Sequence, residues 1–336
     1  MGPAGQHTER EILSQPEAWM ETLHLLRGRA GELQAFYRQG CYDAVVYAGC
    51  GSTYFLALAS AALLHDLTGT WARGLPASEV WFHPRLAQAA GRRVLLVAVS
   101  RSGRTTETLR ACETFRAAGG GDLLTLSCYP GRPLAAQGTL NLLFSAGQEQ
   151  SVAQTRAFSS LYLAAVALAA LWAGRDGLFD ELLQLPEAGR RLLRDCRDLA
   201  RTLGSDAALD RFYYLGSGPR YGLACELSLK MKEMSLSHSE PFHFLEFRHG
   251  PISMVTPGTL MVGLLSESNR RHESAALADV RARGGRVLAL GESSADVSFA
   301  SGLSEAACDL LYLPVGQLLA FERALSRGLD PDRPHN

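Results

Sequence analysis

The sequence predicts an α/β protein made of two tandem three-layer (αβα) sandwiches, each with a parallel sheet, related by internal duplication. Two observations carry this prediction. A buried strand followed by a Gly-x-Gly turn and a helix occurs twice, at 44–54 and at 211–221. Within each half, short β-branched or leucine-rich runs alternate with longer helical patterns, which is typical of strand-helix-strand units. The 336 residues suffice for about two domains of roughly 150 residues each.

The repeat extends over four elements that recur in the same order. The first glycines of the two turns, Gly49 and Gly216, lie 167 positions apart. Downstream, VLLVAVSRSGRTTE at 94–107 corresponds to TLMVGLLSESNRRHE at 259–273, GGGDLLTLS at 119–127 to RGGRVLALG at 283–291, and NLLFSA at 141–146 to DLLYLPV at 309–315. The last pair is predicted to form a short terminal strand in each copy. We expect an N-terminal helical segment at 1–31, with one helix from Glu9 to about Gly31, a first domain at 32–185 and a second at 186–336.

Composition excludes several classes of partner. With 33 basic and 34 acidic residues the net charge is −1, so neither nucleic acid nor an anionic membrane is expected as a partner. The seven cysteines are scattered without a Cys-x-x-Cys pair, which argues against a disulfide framework and a zinc site and favours a reducing cytoplasm. The N-terminus lacks the pattern of a secretory signal. The apolar stretch 157–173 is predicted to be a buried helix, with a membrane span as the alternative.

A loop after the second strand of the first copy has the composition of a phosphate site. Residues 100–106, SRSGRTT, offer hydroxyl groups, guanidinium groups and the free N–H groups of a helix N-terminus. A capped turn without a ligand is the alternative. The corresponding loop of the second copy contains Glu267, whose carboxylate would repel phosphate, so we expect only the first copy to bind it. The first Gly-x-Gly turn lacks the third glycine of a dinucleotide-binding fingerprint, which disfavours a dehydrogenase.

Only two of the 33 basic residues are lysines, Lys230 and Lys232. Arginine does not give up a proton near neutral pH, whereas a buried lysine can, so the surviving lysines suggest chemistry. Helical spacing places Glu226, Lys230 and Glu233 on one face and Lys232 elsewhere. The alternative is a solvated face of surface charges. His249 follows in a loop bounded by Gly250 and Pro251, which suits proton transfer, although a structural hydrogen bond would also explain it.

The order of six motifs resembles the double sugar isomerase (SIS) domain family. The motifs are GCGSTY at 49–54, PASE at 76–79, SRSGRTTET at 100–108, EQSVAQTRAF at 149–158, ELSLKMKE at 226–233 and EFRHGP at 246–251. The likeness covers nearly the whole chain, and it is particularly close to the isomerase half of glutamine:fructose-6-phosphate aminotransferase and to the tagatose-6-phosphate ketose/aldose isomerase group. The N-terminal EREILSQPEAW also resembles the segment that begins that isomerase half.

The resemblance implies a site for a hexose 6-phosphate or an amino-hexose 6-phosphate and a role for each matching residue. Glu233 matches the base that moves a proton between C1 and C2, Lys230 the lysine near the sugar carbonyl, and His249 the ring-opening histidine, which in the family comes from the neighbouring subunit of a homodimer. The implied substrate-binding residues are Cys50, Gly51, Ser52, Thr53, Ser100, Arg101, Ser102, Thr105, Val152 and Ala153, and we add Glu226 to them. No metal or redox cofactor is expected.

Departures from the family pattern bear on the substrate. Arg101, Arg104, Gln154 and Arg156 replace residues usual in the aminotransferase, so the polar contacts to the sugar are expected to differ. We also expect no glutaminase activity, because no amidotransferase domain is expected before the first helix. The further lysine of the family's C-terminal tail is expected to be missing, which argues against synthase activity and, less strongly, against any isomerase activity. The sequence therefore predicts a phosphosugar isomerase or deaminating isomerase. The alternative is a sugar-phosphate sensor without catalysis, because the fold also serves regulators.

Overall fold

The computed structural model describes residues 4–88 and 91–334. They form two compact units, each containing a five-stranded parallel sheet, which confirms the predicted fold class. The first unit comprises 156–183 together with the described parts of 17–148. The second unit comprises 149–155 together with the described parts of 1–16 and 184–336. The chain begins with helix α1 (Gln6–Leu13), which belongs to the second unit.

The first unit has the strand order β2-β1-β3-β4-β5. Its strands are β1 (Ala44–Gly49), β2 (Trp71–Pro76), β3 (Val94–Val99), β4 (Leu123–Ser127) and β5 (Leu140–Leu143). Its helices are α2 (Gln15–Gly28, which starts two residues before the unit), α3 (Ala30–Gly40), α4 (Ser52–Thr68), α5 (Ala77–Phe82), α6 (Thr106–Ala117), α7 (Arg156–Trp172) and α8 (Asp176–Leu182). Every residue of β1 and β3 is buried, as expected for central strands covered on both faces.

Helix α7 is the apolar stretch that the sequence analysis singled out. All its residues from Ala157 to Leu171 are buried within the first unit, so the prediction of a buried helix is confirmed. Among the described residues, no helix combines the length and the apolar character needed to cross a bilayer. The single N-terminal helix expected from Glu9 to Gly31 is instead divided into α1, α2 and α3, with breaks at Ser14 and Arg29.

The second unit repeats this topology, with the order β7-β6-β8-β9-β10. Its strands are β6 (Arg211–Leu215), β7 (His238–Phe242), β8 (Thr259–Leu264), β9 (Arg286–Gly291) and β10 (Val297–Ser298). Its further helices are α9 (Leu185–Asp195), α10 (Arg197–Gly204), α11 (Pro219–Ser235), α12 (Arg270–Ala282), α13 (Glu305–Cys308) and α14 (Tyr312–Ser326).

The expectation of a terminal strand at 309–315 is wrong. Residues 309–311 form a short 3-10 turn and 312–315 the start of α14, while the fifth strand is β10. A buried leucine-rich run of this length has the same pattern in a helix and in a strand, so its composition alone does not decide. Pro314 lies in the first turn of α14, where a missing N–H costs no helical hydrogen bond.

The two Gly-x-Gly turns have the same backbone geometry. Gly51 (φ 54°, ψ −122°) and Gly218 (φ 57°, ψ −132°) adopt nearly identical left-handed conformations. A Cβ on Gly49 would lie 2.5 Å from the backbone of Thr53, and one on Gly216 would collide with the backbone of Arg220. Both turns therefore need glycine for the same physical reasons, which supports the predicted duplication.

Candidate functional site

The strand order of the first unit changes direction between β1 and β3, which is where an open parallel sheet is expected to bind a ligand. The two strands are parallel neighbours, with Ala48 paired to Ala98, while β2 lies on the far side of β1. In open parallel sheets, ligands bind at the carboxyl ends of such strands. The loops at this point are 50–52 and 100–105, the two that the sequence analysis assigned to the sugar and to its phosphate.

In the loop after β1, one side chain hydrogen-bonds both backbone groups of Cys50. The hydroxyl of Thr53 accepts a hydrogen bond from the Cys50 N–H at 2.8 Å and lies 2.9 Å from the Cys50 carbonyl oxygen, to which it donates. Ser52 and Thr53 are buried, whereas Cys50 is half-buried and its Sγ lies 3.7 Å from the Thr108 hydroxyl. Burial raises the pKa of the Cys50 thiol, so it is a neutral group at physiological pH.

The loop after β3 forms hydrogen bonds within itself. No side-chain cap closes the N-terminus of α6, the helix that follows it. Ser100, which is buried, is 2.9 Å from the Thr105 hydroxyl and accepts from the Gly103 N–H at 3.2 Å. Thr105 precedes the first helical residue of α6 but makes no side-chain capping bond. Gly103 has φ +62°, and a Cβ there would meet Arg132 at 2.8 Å. Its backbone thus takes a conformation that glycine favours.

The polar groups of this loop suit an anion. The side chains of Ser102 and Thr105 are half-buried and Arg104 is exposed, so hydroxyl and guanidinium groups remain near the surface. They stand beside the N-terminal turn of α6, where the helix dipole favours negative charge. Ser102 Oγ also accepts from the Arg104 N–H at 3.4 Å, which orients the hydroxyl within the turn.

The corresponding loop of the second unit is filled by the chain's own carboxylates. Ser268 donates from its N–H (3.2 Å) and its hydroxyl (3.1 Å) to Glu305, which also pairs with the buried Arg220 at 2.7 Å. Ser266 donates from its N–H (2.6 Å) and its hydroxyl (2.9 Å) to the buried Glu273. The groups that an external anion would contact are therefore already paired.

The carboxylates that accept from this loop differ from the one expected. Glu267, the carboxylate that the sequence analysis held responsible, forms an ion pair with Arg270. The carboxylates in the loop come instead from α12 and α13. Arg220 further pairs with Asp309 at 3.1 Å, and burial raises the pKa of Asp309 to about 6 despite this cation.

Helix α11 carries the predicted acid-base residues on one face. Lys230 Nζ lies 2.5 Å from Glu233 Oε2 and 3.4 Å from Glu226 Oε1. Lys230 and Glu226 are fully buried, whereas the Glu233 side chain is 30% exposed. The other lysine, Lys232, is exposed. Of the two carboxylates, Glu233 is therefore the one accessible to a ligand.

The surroundings of Lys230 keep it charged. Burial alone lowers the pKa of this amine, but the negative charges of three carboxylates outweigh burial and raise its pKa above the ordinary value. These carboxylates belong to Glu226, Glu233 and Glu149. An ammonium with a raised pKa can stabilise a developing oxyanion but is not an amine nucleophile at neutral pH. The structure therefore favours an electrostatic role for Lys230.

Val152 and Ala153 lie in segment 149–155, which belongs to the second unit. Val152 is 51% exposed, whereas Ala153 is buried. Glu149 closes the segment by accepting hydrogen bonds from the N–H (2.7 Å) and hydroxyl (3.1 Å) of Thr155. The sequence analysis did not single out Glu149, although it lies in the quoted motif EQSVAQTRAF.

His249 lies in an exposed loop of the second unit between two short 3-10 turns, 246–248 and 251–254. Its N–H donates to the Glu246 carbonyl at 3.0 Å, and the buried Phe247 anchors the loop. Gly250 follows with φ +122°. The imidazole of His249 lies at the surface of the second unit. Among the described residues, no cluster of His, Cys, Asp and Glu has the arrangement of a metal site.

The family model that matches this chain is that of the SIS domain, at residues 41–171 and 208–298. The chain belongs to the SIS domain family. Each matched range contains one of the two sheets described above, so the protein is a double SIS domain protein. The resemblance inferred from its motifs is confirmed.

Relatives and solved structures place it within this family. An isomerizing glutamine–fructose-6-phosphate aminotransferase from Methanothermobacter thermautotrophicus is 28% identical over 340 residues, which are 97% of this chain and 56% of the relative. The chain thus spans about half the length of the curated relatives it matches. The crystal structure of glucosamine-6-phosphate deaminase from Thermotoga maritima is 28% identical, with a TM-score of 0.78 over 94% of this chain and 98% of that one. Tagatose-6-phosphate ketose/aldose isomerase from Escherichia coli shares the fold at 23% identity, with a TM-score of 0.87 over 100% and 97% of the two chains.

Proposed function

We propose that this SIS domain protein is a phosphosugar isomerase or deaminating isomerase that acts on an amino- or keto-hexose 6-phosphate. The observation that carries the proposal is the ammonium of Lys230 beside the accessible carboxylate of Glu233. Proton transfer between neighbouring carbons needs a base, and the enediolate that forms needs a nearby positive charge. A protein that only bound the sugar phosphate would need the anion loop but not this buried pair.

The proposed roles are those that the family resemblance implies, and the chemistry of each group is consistent with them. The phosphate is bound by the hydroxyls of Ser100, Ser102 and Thr105 together with Arg101 and the N-terminal turn of α6. The loop at 50–53 contacts the sugar through Cys50, Gly51, Ser52 and Thr53. In the second unit, Val152 and Ala153 are proposed to contact the sugar. Glu226, which the sequence predicts as a further sugar-binding residue, is fully buried against Lys230 and is therefore proposed only to pair with that lysine.

The proposed reaction is a proton shift on the open-chain sugar. His249 opens the ring by moving a proton between the anomeric hydroxyl and the ring oxygen. Glu233 takes the proton from C2 of an aldose and returns it to C1, while Lys230 stabilises the charge that develops on oxygen. With an amino sugar the same shift leaves an imine at C2. Water then hydrolyses the imine, so that the amino-hexose 6-phosphate and water give a ketohexose 6-phosphate and ammonia.

The proposal includes a homodimer in which His249 acts on the sugar bound by the second copy. The resemblance to the double SIS family is the source of this assignment. The exposure of His249 in a loop anchored by Phe247 supports it, because the imidazole remains available to another chain.

Proton exchange with solvent tests the proposal directly. The protein is incubated in deuterated water with glucosamine 6-phosphate, galactosamine 6-phosphate or fructose 6-phosphate, and the sugars are analysed by NMR while ammonia is measured. We expect deuterium at C1 or C2 with at least one of them, and ammonia release identifies the deaminating reaction. Binding without label for every sugar would contradict the enzyme and identify a sensor.

Two substitutions separate chemistry from binding. Glu233→Gln should remove deuterium incorporation and leave the dissociation constant nearly unchanged, because the base acts in the transition state. Ser102→Ala should weaken binding about tenfold, the cost of one charge-assisted hydrogen bond. Ser268→Ala, at the equivalent loop of the second unit, is the matched control and should not alter binding measured by calorimetry.

A further inference from the structure

Glu11 on α1 is a buried carboxylate that contacts the segment carrying Val152 and Ala153. Glu11 is only 1% exposed. Oε1 accepts hydrogen bonds from the N–H of Gln150 at 2.6 Å and the N–H of Ser151 at 3.4 Å. Oε2 accepts the hydroxyl of Ser151. One side chain thus takes three hydrogen bonds from two consecutive residues.

The surroundings of Glu11 are costly for a carboxylate. Its neighbour Ile12 packs in an apolar cluster with Leu193, Leu318 and Phe321 of the same unit. Burial raises the pKa of Glu11, and the hydrogen bonds from Ser151 and Gln150 oppose that rise. Glu11 lies in the last turn of the eight-residue helix α1, where the helix dipole does not favour an acid. The contacts to segment 149–155 are what the carboxylate provides.

The next residue of the segment is also held. The Val152 N–H donates to the backbone carbonyl of Asp332 at 3.4 Å, and the Ala153 carbonyl oxygen lies 3.1 Å from Ser151 Oγ, whose proton it shares with Glu11. The N–H groups of three consecutive residues, 150, 151 and 152, are therefore directed to α1 and the C-terminal segment. Rotating the backbone at 151–153 would break at least one of these bonds.

We propose that Glu11 is a positioning residue of the sugar site, which fixes residues 150–153 in the conformation that binds the substrate. The inference rests on the proposed function, since the contact of Val152 and Ala153 with sugar is part of that proposal. Glu11 does not touch the substrate. It acts through the backbone of Gln150 and Ser151, which lie 139 and 140 positions away in the sequence.

Amide hydrogen exchange and steady-state kinetics together test this role. In Glu11→Ala, exchange at the amides of Gln150 and Ser151 should accelerate at least about tenfold, the effect of losing one hydrogen bond of ordinary strength. KM for glucosamine 6-phosphate, or for whichever of the three sugars the wild type turns over, should rise about tenfold while kcat changes less than about threefold. Glu9→Ala is the matched control, because Glu9 lies on the same helix and pairs with Arg197 instead.

Two further variants keep the test decisive if Glu11→Ala folds poorly. Glu11→Gln retains one acceptor oxygen and should give an intermediate KM, a partial rescue. Ser151→Ala removes the partner hydroxyl without altering α1 and should raise KM in the same direction. A fall in kcat at unchanged KM in these variants, or unchanged exchange at 150 and 151 in Glu11→Ala, would overturn the inference.

The two proposals fail in different ways. If the wild type neither binds nor turns over any of the three sugars, the proposed function is wrong whatever the variants do. If the wild type is active and Glu11→Ala keeps the wild-type KM, only the role of Glu11 is wrong. The exchange measurement is independent of substrate and reports whether Glu11 holds the segment.

Discussion

A cation and two carboxylates on α11 are brought together by helical spacing alone. Glu226, Lys230 and Glu233 are separated by four and three positions, and about 3.6 residues per turn place such positions on one face. The sequence could therefore predict this cluster. By contrast, Glu11 and Ser151 are 140 positions apart, and no periodicity relates them. Their contact could only be found in the folded chain.

The charge of Lys230 also stabilises the fold, because it neutralises the buried carboxylate of Glu226. In Lys230→Met, Glu226 would remain buried without its counter-charge, so the second unit should lose about 3 kcal/mol of stability. Circular dichroism or amide exchange in α11 measures this loss. Tryptophan fluorescence does not suit the purpose, since all four tryptophans, Trp19, Trp71, Trp81 and Trp172, lie in the first unit.

Lys232→Met is the matched control for this prediction. Lys232 is exposed on the same helix, so its replacement should change stability by less than about 0.5 kcal/mol. Adding Glu226→Gln to Lys230→Met should recover part of the loss, because the uncompensated charge is removed. Equal effects of the two lysine substitutions would show that Lys230 does not neutralise Glu226.

Among the elements, α1 depends on a residue from the other end of the chain. Asp332 accepts hydrogen bonds from the N–H groups of His7 (3.0 Å) and Thr8 (2.7 Å) and from the Thr8 hydroxyl (2.7 Å). It thereby caps the first turn of α1 in place of a local residue, since Gly5 at the N-cap has no side chain. The sequence could not reveal this cap, because the capping residue is normally adjacent to its helix.

Asp332→Asn should weaken the cap in a pH-dependent way. Burial alone raises the pKa of Asp332, but the hydrogen bonds from His7 and Thr8 outweigh it and hold the pKa below the ordinary value. The carboxylate therefore stabilises the fold above about pH 4, and this contribution disappears as pH falls through the lowered pKa. We expect the variant to lose about 1 kcal/mol at pH 7 and nothing at strongly acidic pH.

Thermal unfolding at several pH values measures this difference. Asp198→Asn serves as the control, because its carboxylate is 95% exposed and faces only a neighbour on its own helix, Arg201. That substitution should have no pH-dependent effect of comparable size. A constant difference between Asp332→Asn and the wild type from neutral to strongly acidic pH would contradict a role for the charged form of Asp332.

For the whole molecule, the duplication produced two similar sheets with different loops. The Gly-x-Gly turns have the same geometry, whereas the loop after β3 is bonded within itself and the loop after β8 donates to Glu273 and Glu305. The two copies thus differ in which groups satisfy the corresponding loop. This explains why we expect one sugar phosphate per chain.

The proposed homodimer predicts complementation between two inactive variants. His249→Ala and Glu233→Gln should each be inactive alone. If His249 acts in the site of the second copy, a 1:1 mixture refolded or exchanged to equilibrium should regain about a quarter of wild-type activity, because half of the dimers have one intact site of two. Turnover of the sugar identified by deuterium labelling measures the recovery. Absence of recovery in dimers shown to have mixed would place both residues in one chain's site.

By itself, the sequence determined the fold class, the duplicated sheets, the polar loop at 100–105 and the charged face of α11. These features are local, since they follow from strand and helix periodicity and from the chemistry of short loops. Only the tertiary structure decided that segment 149–155 belongs with α1 and the C-terminal residues, and that Glu305 fills the loop after β8. Those outcomes depend on hydrogen bonds between carboxylates and N–H groups that are far apart in the sequence. Only folding brings such groups within hydrogen-bond distance.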